Sequence, residues 1–140
     1  DGRVINRMIG DYVKNNADRC AAFASLGQLR YLSALQFCDL VMGNSSSGII
    51  EAPSFGIPTI DIGDRQRGRV SADAVIHCGY ETADIEGALE RALSEAFRAG
   101  IREQKNPYEG ENTSGKILDR IGKALDEGID IKKTFYDISG

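Results

Sequence analysis

Long apolar runs are missing from this 140-residue sequence. No stretch approaches the roughly 20 residues that a membrane-spanning helix needs, and no leader-like segment opens the chain, so no membrane partner is expected. Basic charge is not in excess either. Seventeen Lys and Arg stand against 21 Asp and Glu, a net charge of −4, which argues against nucleic acid as a partner. Cysteine is scarce: Cys20, Cys38 and Cys78 are odd in number and widely spaced, with no Cys-x-x-Cys pair. That pattern gives no support to a structural metal site and reads as reduced, buried thiols of a cytoplasmic protein. No Gly-Lys-Ser/Thr occurs, which excludes a Walker loop. Internal repeats and low-complexity tracts are absent too.

What remains is ordinary globular composition, 41% hydrophobic and 27% charged, in a chain near the size of one domain. One domain over 1–140 with no internal linker is expected. The chain opens on Asp1-Gly2-Arg3 without an initiator Met, which gives the expectation that it belongs to something longer.

Val4, Ile5, Met8, Ile9, Tyr12 and Val13 recur at helical spacing and predict an amphipathic helix over 3–16. Cys20 to Ser25 reads as a short buried strand, and Leu29, Leu32, Leu35 and Phe37 as a helix ending at Cys38. A strand over 39–42, a helix over about 46–55 and a strand over 58–62 follow, with another short strand at Val75-Ile76-His77-Cys78. Pro53 lacks an N–H, so the 46–55 helix should be short, bent or broken there. Thr82 is the expected cap of a helix whose inner side carries Ile85, Leu89, Ala92, Leu93, Ala96 and Phe97. A polar loop over 103–113 leads to a last helix, capped by Ser114, with Ile117, Leu118, Ile121 and Leu125 inward. Short apolar strands alternating with helices predict an α/β fold, a parallel sheet with helices on both faces. Ligands of such sheets sit beyond the carboxyl ends of the strands. Ser25–Gly27, Gly43–Ser47 and Gly63–Arg69 would then share one rim.

The chemistry concentrates in residues 43–69. Asn44-Ser45-Ser46-Ser47-Gly48 follows an apolar strand and opens a helix, where small residues let backbone amides approach an anion. Standing alone, the cluster would more readily be read as a capped turn. Glu51 follows Ser47 by four residues, on the same helix face, among apolar Ile49, Ile50 and Ala52. An acid so placed needs a partner, and the adjacent hydroxyls of a ribose would supply two. Arg65, Arg67 and Arg69 alternate in a loop between Gly63 and Gly68. Arg65 and Arg69 are the better candidates for bidentate contact with a diphosphate, with Arg67 directed outward. Together these residues read as a site for the diphosphate and ribose of a nucleotide. His77, the only histidine, sits in a strand pattern and reads as structural. Tyr108 and Tyr136 read as packing residues, Lys132-Lys133 as a solvated tail, and nothing makes Asp61 and Asp64 an acid–base pair.

Gly43-Asn44-Ser45-Ser46-Ser47-Gly48-Ile49-Ile50-Glu51-Ala52-Pro53-Ser54-Phe55-Gly56, followed by Pro58-Thr59 and Gly63-Asp64-Arg65-Gln66-Arg67-Gly68-Arg69, resembles the UDP-N-acetylglucosamine 2-epimerases. The similarity is greatest to the hydrolysing, sialic-acid-pathway branch. The non-hydrolysing branch shares Glu51-Ala52-Pro53 but typically has Asp-Ser-Gly-Gly before the helix and a later Thr-Glu-Arg-Pro loop, neither present here. The resemblance extends through Gly2-Arg3-Val4-Ile5-Asn6, Ser25-Leu26-Gly27, Asn106-Pro107-Tyr108 and Phe135-Tyr136-Asp137, essentially the whole chain.

The resemblance implies one Rossmann-like half of a GT-B fold, the C-terminal, UDP-binding domain. Ser45, Ser46, Ser47 and Gly48, with Arg65 and Arg69, would hold the diphosphate, Glu51 the ribose, and Leu26 and Tyr31 the uracil. The implied reaction is anti elimination of UDP through 2-acetamidoglucal, then addition of water to give N-acetylmannosamine. It implies no cofactor or metal. The expected partners are a UDP-sugar, an N-terminal domain that carries the acid–base residues, and further copies of the full-length chain. No catalytic residue is expected within these 140 residues. A non-hydrolysing UDP-N-acetylglucosamine 2-epimerase, a GT-B glycosyltransferase domain and a stand-alone nucleotide-sugar binding module are the alternatives.

Overall fold

A computed structural model of the chain describes residues 2–128 and 132. The Phe135-Tyr136-Asp137 motif, Tyr136 and Lys133 lie outside the described residues. The chain divides into two compact units, Asp1–Pro107 and Tyr108–Gly140.

The first unit opens with α1 (Gly2–Asn15), as the periodicity predicts. Its apolar stripe of Val4, Ile5, Met8, Ile9 and Tyr12 is exposed, with no cover among the described residues. Residues 20–25 correct the sequence reading, because they form no strand and nearly all are exposed. Three of the six are alanines, which bury little area and favour strands poorly. α2 (Gly27–Leu35) follows, two residues earlier than its leucines suggest.

Three short strands, β1 (Val41–Gly43), β2 (Thr59–Ile62) and β3 (Val75–Cys78), make a sheet in that order, all parallel. Between β1 and β2 lie α3 (Ser47–Ile50) and a 3-10 turn (Ala52–Phe55). Pro53 stands in the first turn of the second piece, where a missing N–H does no harm. Gly56 then ends it with φ 65°, a left-handed conformation suited to glycine. β2 and β3 are joined by residues 63–74 without a helix, although parallel neighbours need a crossover and usually use one.

Val41, Thr59 and Val75 form one register row, and Met42, Ile60 and Ile76 the next. Alternate rows point to opposite faces. The first face meets α3, where a methyl added to Gly48 would lie 2.8 Å from Thr59 Cγ2. The second buries Ile60 and Ile76 against Ala88 and Ala92 of α4 (Thr82–Leu93). The parallel sheet with helices on both faces is therefore observed, at three strands.

The cap and the extent of α4 both need correction. Thr82 is the first helical residue of α4, and Glu81, extended at φ −70° and ψ 147°, takes the cap position. The expected single helix reaching Phe97 is two, because Ser94 is also extended. Ser94 caps α5 (Glu95–Gly100) by accepting the Phe97 N–H at 3.3 Å. Ala88 belongs to the buried side, whereas Leu93 is exposed.

The second unit contains α6 (Thr113–Glu127), preceded by Asn112 rather than Ser114. Ile117, Leu118, Ile121 and Leu125, expected inward, are all exposed, since the described part of this unit offers no second element to bury them against. All three cysteines are free thiols, but none is fully buried, and Cys38 is exposed at the end of α2.

Candidate functional site

Because the strands are parallel, the loops that follow Gly43, Ile62 and Cys78 share one rim of the sheet. The serine turn and the arginine loop meet there directly. The Gln66 side-chain amide donates to the Asn44 carbonyl at 2.9 Å. Leu26 reaches this region without the predicted strand, at the start of α2. Leu26, Tyr31, Ser45, Ser47 and Glu51 all line one open cavity of about 730 Å³, together with Phe23 and Gln28. Five expected site residues from two segments are thus brought together, without the arginines.

The local geometry decides what this cavity can do. α3 is a single turn, so its macrodipole is small and an anion would depend on hydroxyls and nearby amides. The Ser47 N–H points at Ser45 Oγ, 3.4 Å away. The Ser47 hydroxyl donates to the Tyr31 hydroxyl at 2.6 Å. Whichever way that pair donates, one of its two protons remains for another acceptor. Glu51 keeps its backbone bond to the Ser47 carbonyl at 2.9 Å and is half-buried in the cavity wall. Ser46 precedes α3 in helical conformation. Gly48 is buried beneath and lines a small recess with Ser45 and Thr59.

Arg65 is exposed on its loop. Arg69 lines a second cavity, of about 470 Å³, with Arg67, His77 and Tyr80. Arg67, expected outward, therefore shares a cavity with Arg69. The loop's start is fixed by Tyr80, which donates to Asp64 Oδ1 at 2.7 Å and accepts the Asp64 N–H at 3.2 Å. The Tyr80 hydroxyl, then the residue's own backbone bond, hold the Asp64 carboxyl below its ordinary pKa, with a smaller contribution from Arg67.

His77 has both ring nitrogens engaged. Nδ1 lies 2.9 Å from Oδ2 of the buried Asp61, and Nε2 lies 3.3 Å from Ser71 Oγ. The histidine joins β3 to β2, in keeping with a structural reading, and Asp61 and Asp64 have separate partners. Burial, then Asp84 and Asp61, push the Cys78 thiol above its ordinary pKa. Among the described residues no group of three His, Cys, Asp or Glu is arranged to hold a metal.

Sequence reasoning missed Gln66 and Tyr80. An uncharged side chain set between arginines is a faint signal for Gln66, and none marks Tyr80.

Residues 2–122 match the UDP-N-acetylglucosamine 2-epimerase family. The chain belongs to that family. It is 34% identical over 138 residues to the GDP/UDP-N,N'-diacetylbacillosamine 2-epimerase (hydrolyzing) of Campylobacter jejuni, which covers 99% of this chain and 35% of that one. It is 30% identical over 135 residues to the UDP-N-acetylglucosamine 2-epimerase of Neisseria meningitidis, covering 94% and 35%. Polysialic acid biosynthesis protein P7 of Escherichia coli is 36% identical over 108 residues, covering 77% and 28%. The chain thus spans about a third of the length of these relatives. Among its described residues, no helix is long and apolar enough to cross a membrane.

Proposed function

We propose that this epimerase-family chain is the UDP-binding, C-terminal half of a two-domain GT-B enzyme. The whole enzyme would hydrolyse UDP-N-acetylglucosamine, or a close 2-acetamido relative, to the free 2-epimeric sugar and UDP. The observation that carries the reading is the cavity of about 730 Å³ that gathers Leu26, Tyr31, Ser45, Ser47 and Glu51. In this reading Ser45, Ser46, Ser47 and Gly48 hold the diphosphate, with Arg65 and Arg69 closing over it. Glu51 accepts from the ribose hydroxyls, and Leu26 and Tyr31 flank the uracil.

As the bond between the sugar and UDP breaks, negative charge grows on the departing diphosphate. Hydroxyl donors of the serine turn, and guanidinium groups brought over them, would stabilise that charge. Proton removal at C2 falls to the N-terminal domain that these residues do not include. Further copies of the full-length chain complete the assembly, and the free thiols suit a reducing cytoplasm.

Calorimetric titration of the 140-residue chain with UDP tests the site. Weak one-to-one binding at most is expected, with no turnover of UDP-N-acetylglucosamine. The full-length protein should release free N-acetylmannosamine and UDP. Release of UDP-N-acetylmannosamine instead would replace hydrolysis by simple epimerisation, and turnover by this chain alone would overturn the division of labour.

A further inference from the structure

The arginine loop turns one side chain inward. Gln66 is 4% exposed, whereas Arg65, Arg67 and Arg69 on either side are exposed. Two backbone turns frame it, from the Arg67 N–H to the Asp64 carbonyl at 3.0 Å and from the Arg69 N–H to the Gln66 carbonyl at 3.2 Å. Its amide nitrogen donates to the Asn44 carbonyl at 2.9 Å, linking segments 22 residues apart. Flipping the amide would set two carbonyl oxygens against each other, so its orientation is determined.

The other end of the amide is buried too. Gln66 Oε1 has no hydrogen-bond partner among the described residues. A buried acceptor without a donor is rare, and its retention calls for a reason. Methionine would fill the same space without that penalty but could not donate to Asn44.

We infer that Gln66 is a positioning residue: it clamps the arginine loop to the serine turn, so that guanidiniums and serine hydroxyls act as one anion-binding unit. What the unit holds, a nucleoside diphosphate, rests on the proposed function; the clamp does not. Gln66 touches no ligand in this account. It acts by making the two loops move together.

The test has three readouts on the 140-residue chain. In the wild type, by nuclear magnetic resonance, the Gln66 side-chain amide hydrogens should exchange with solvent about tenfold or more slowly than those of exposed Gln28 and Gln36. Equal exchange overturns the clamp, with no variant required. In Gln66→Met, backbone amides of residues 44–47 and 64–69 should exchange about tenfold faster, with β2 and β3 unchanged. An unaltered serine turn also overturns it.

Titration with UDP then reads the consequence, an affinity about tenfold weaker in Gln66→Met, or about 1.4 kcal/mol. Unchanged affinity, with both loops loosened, refutes the single anion-binding unit. A wild-type chain that does not bind UDP at millimolar concentration sinks the nucleotide reading alone, and the exchange data still decide the clamp.

Discussion

Glu51 is the residue on which the nucleotide reading turns, because it is the one acid in the wall of the larger cavity. If it accepts the ribose hydroxyls, Glu51→Ala should weaken UDP binding by about 1.5–3 kcal/mol, the scale of hydrogen bonds to a charged group, by calorimetry. Unchanged affinity removes Glu51 from the site. Thr59 makes the opposite kind of prediction. It is 2% exposed, and its hydroxyl has no partner among the described residues. Thr59→Val removes an unsatisfied group at nearly constant shape, so stability to urea should rise by about 1 kcal/mol. Asp64 carries a pH signature. The Tyr80 hydroxyl lowers its folded pKa, so its contribution is present above the unfolded value and is lost as pH falls through the folded one. In Tyr80→Phe the Asp64 titration midpoint, followed by nuclear magnetic resonance, should move upward. A midpoint that stays put would mean that the hydroxyl is not the cause.

Among the elements, α3 shows how tightly the site is tied to the core. Gly48 lets the helix lie against β2 so closely that a methyl there meets Thr59 Cγ2 at 2.8 Å. Thr59 is β-branched and buried, so it cannot turn aside. Gly48→Ala should cost about 1–3 kcal/mol in chemical denaturation, the range for overpacking. Full stability would show that α3 can lift off the sheet. That the helix stops short of Pro53 was legible beforehand, because a continuing helix would need the N–H that proline lacks. All three strands were legible too, since short apolar runs bounded by glycine or proline leave few alternatives. Residues 20–25 were not, because a strand also needs an edge to pair with, and their alanines offer little to hold it. In the candidate site, Ser45 and Glu51 were picked out by type and spacing, whereas Arg67 and Arg69 line the other cavity. The contacts from Gln66 to Asn44 and from Ser47 to Tyr31 depend on how distant segments meet, which no local pattern encodes.

At the scale of the whole molecule, stability is concentrated in the sheet and α4. α1 contributes nothing to that core, since its five large apolar residues are exposed. A 14-residue helix without tertiary support is marginal in water. Hydrogen exchange should therefore find the amides of α1 nearly unprotected, while those of β2 and β3 approach the global limit. Equal protection would mean that α1 is held by contacts beyond its exposed face.

The helix-free link between β2 and β3 carries a consequence of its own. A protease cutting after Arg69, on the exposed stretch around Val70, would sever no helix and no strand. One fragment would keep the serine turn and all three arginines of the loop, and the other β3 and α4. Their shared seam would include the pairing of β2 with β3, the packing of Ile60 against α4, and the side-chain bonds of His77 to Asp61, Tyr80 to Asp64 and Arg98 to Asp39. Coexpressed as separate polypeptides, the two pieces should find each other and rebuild the sheet, making this loop the natural place to split the chain for complementation.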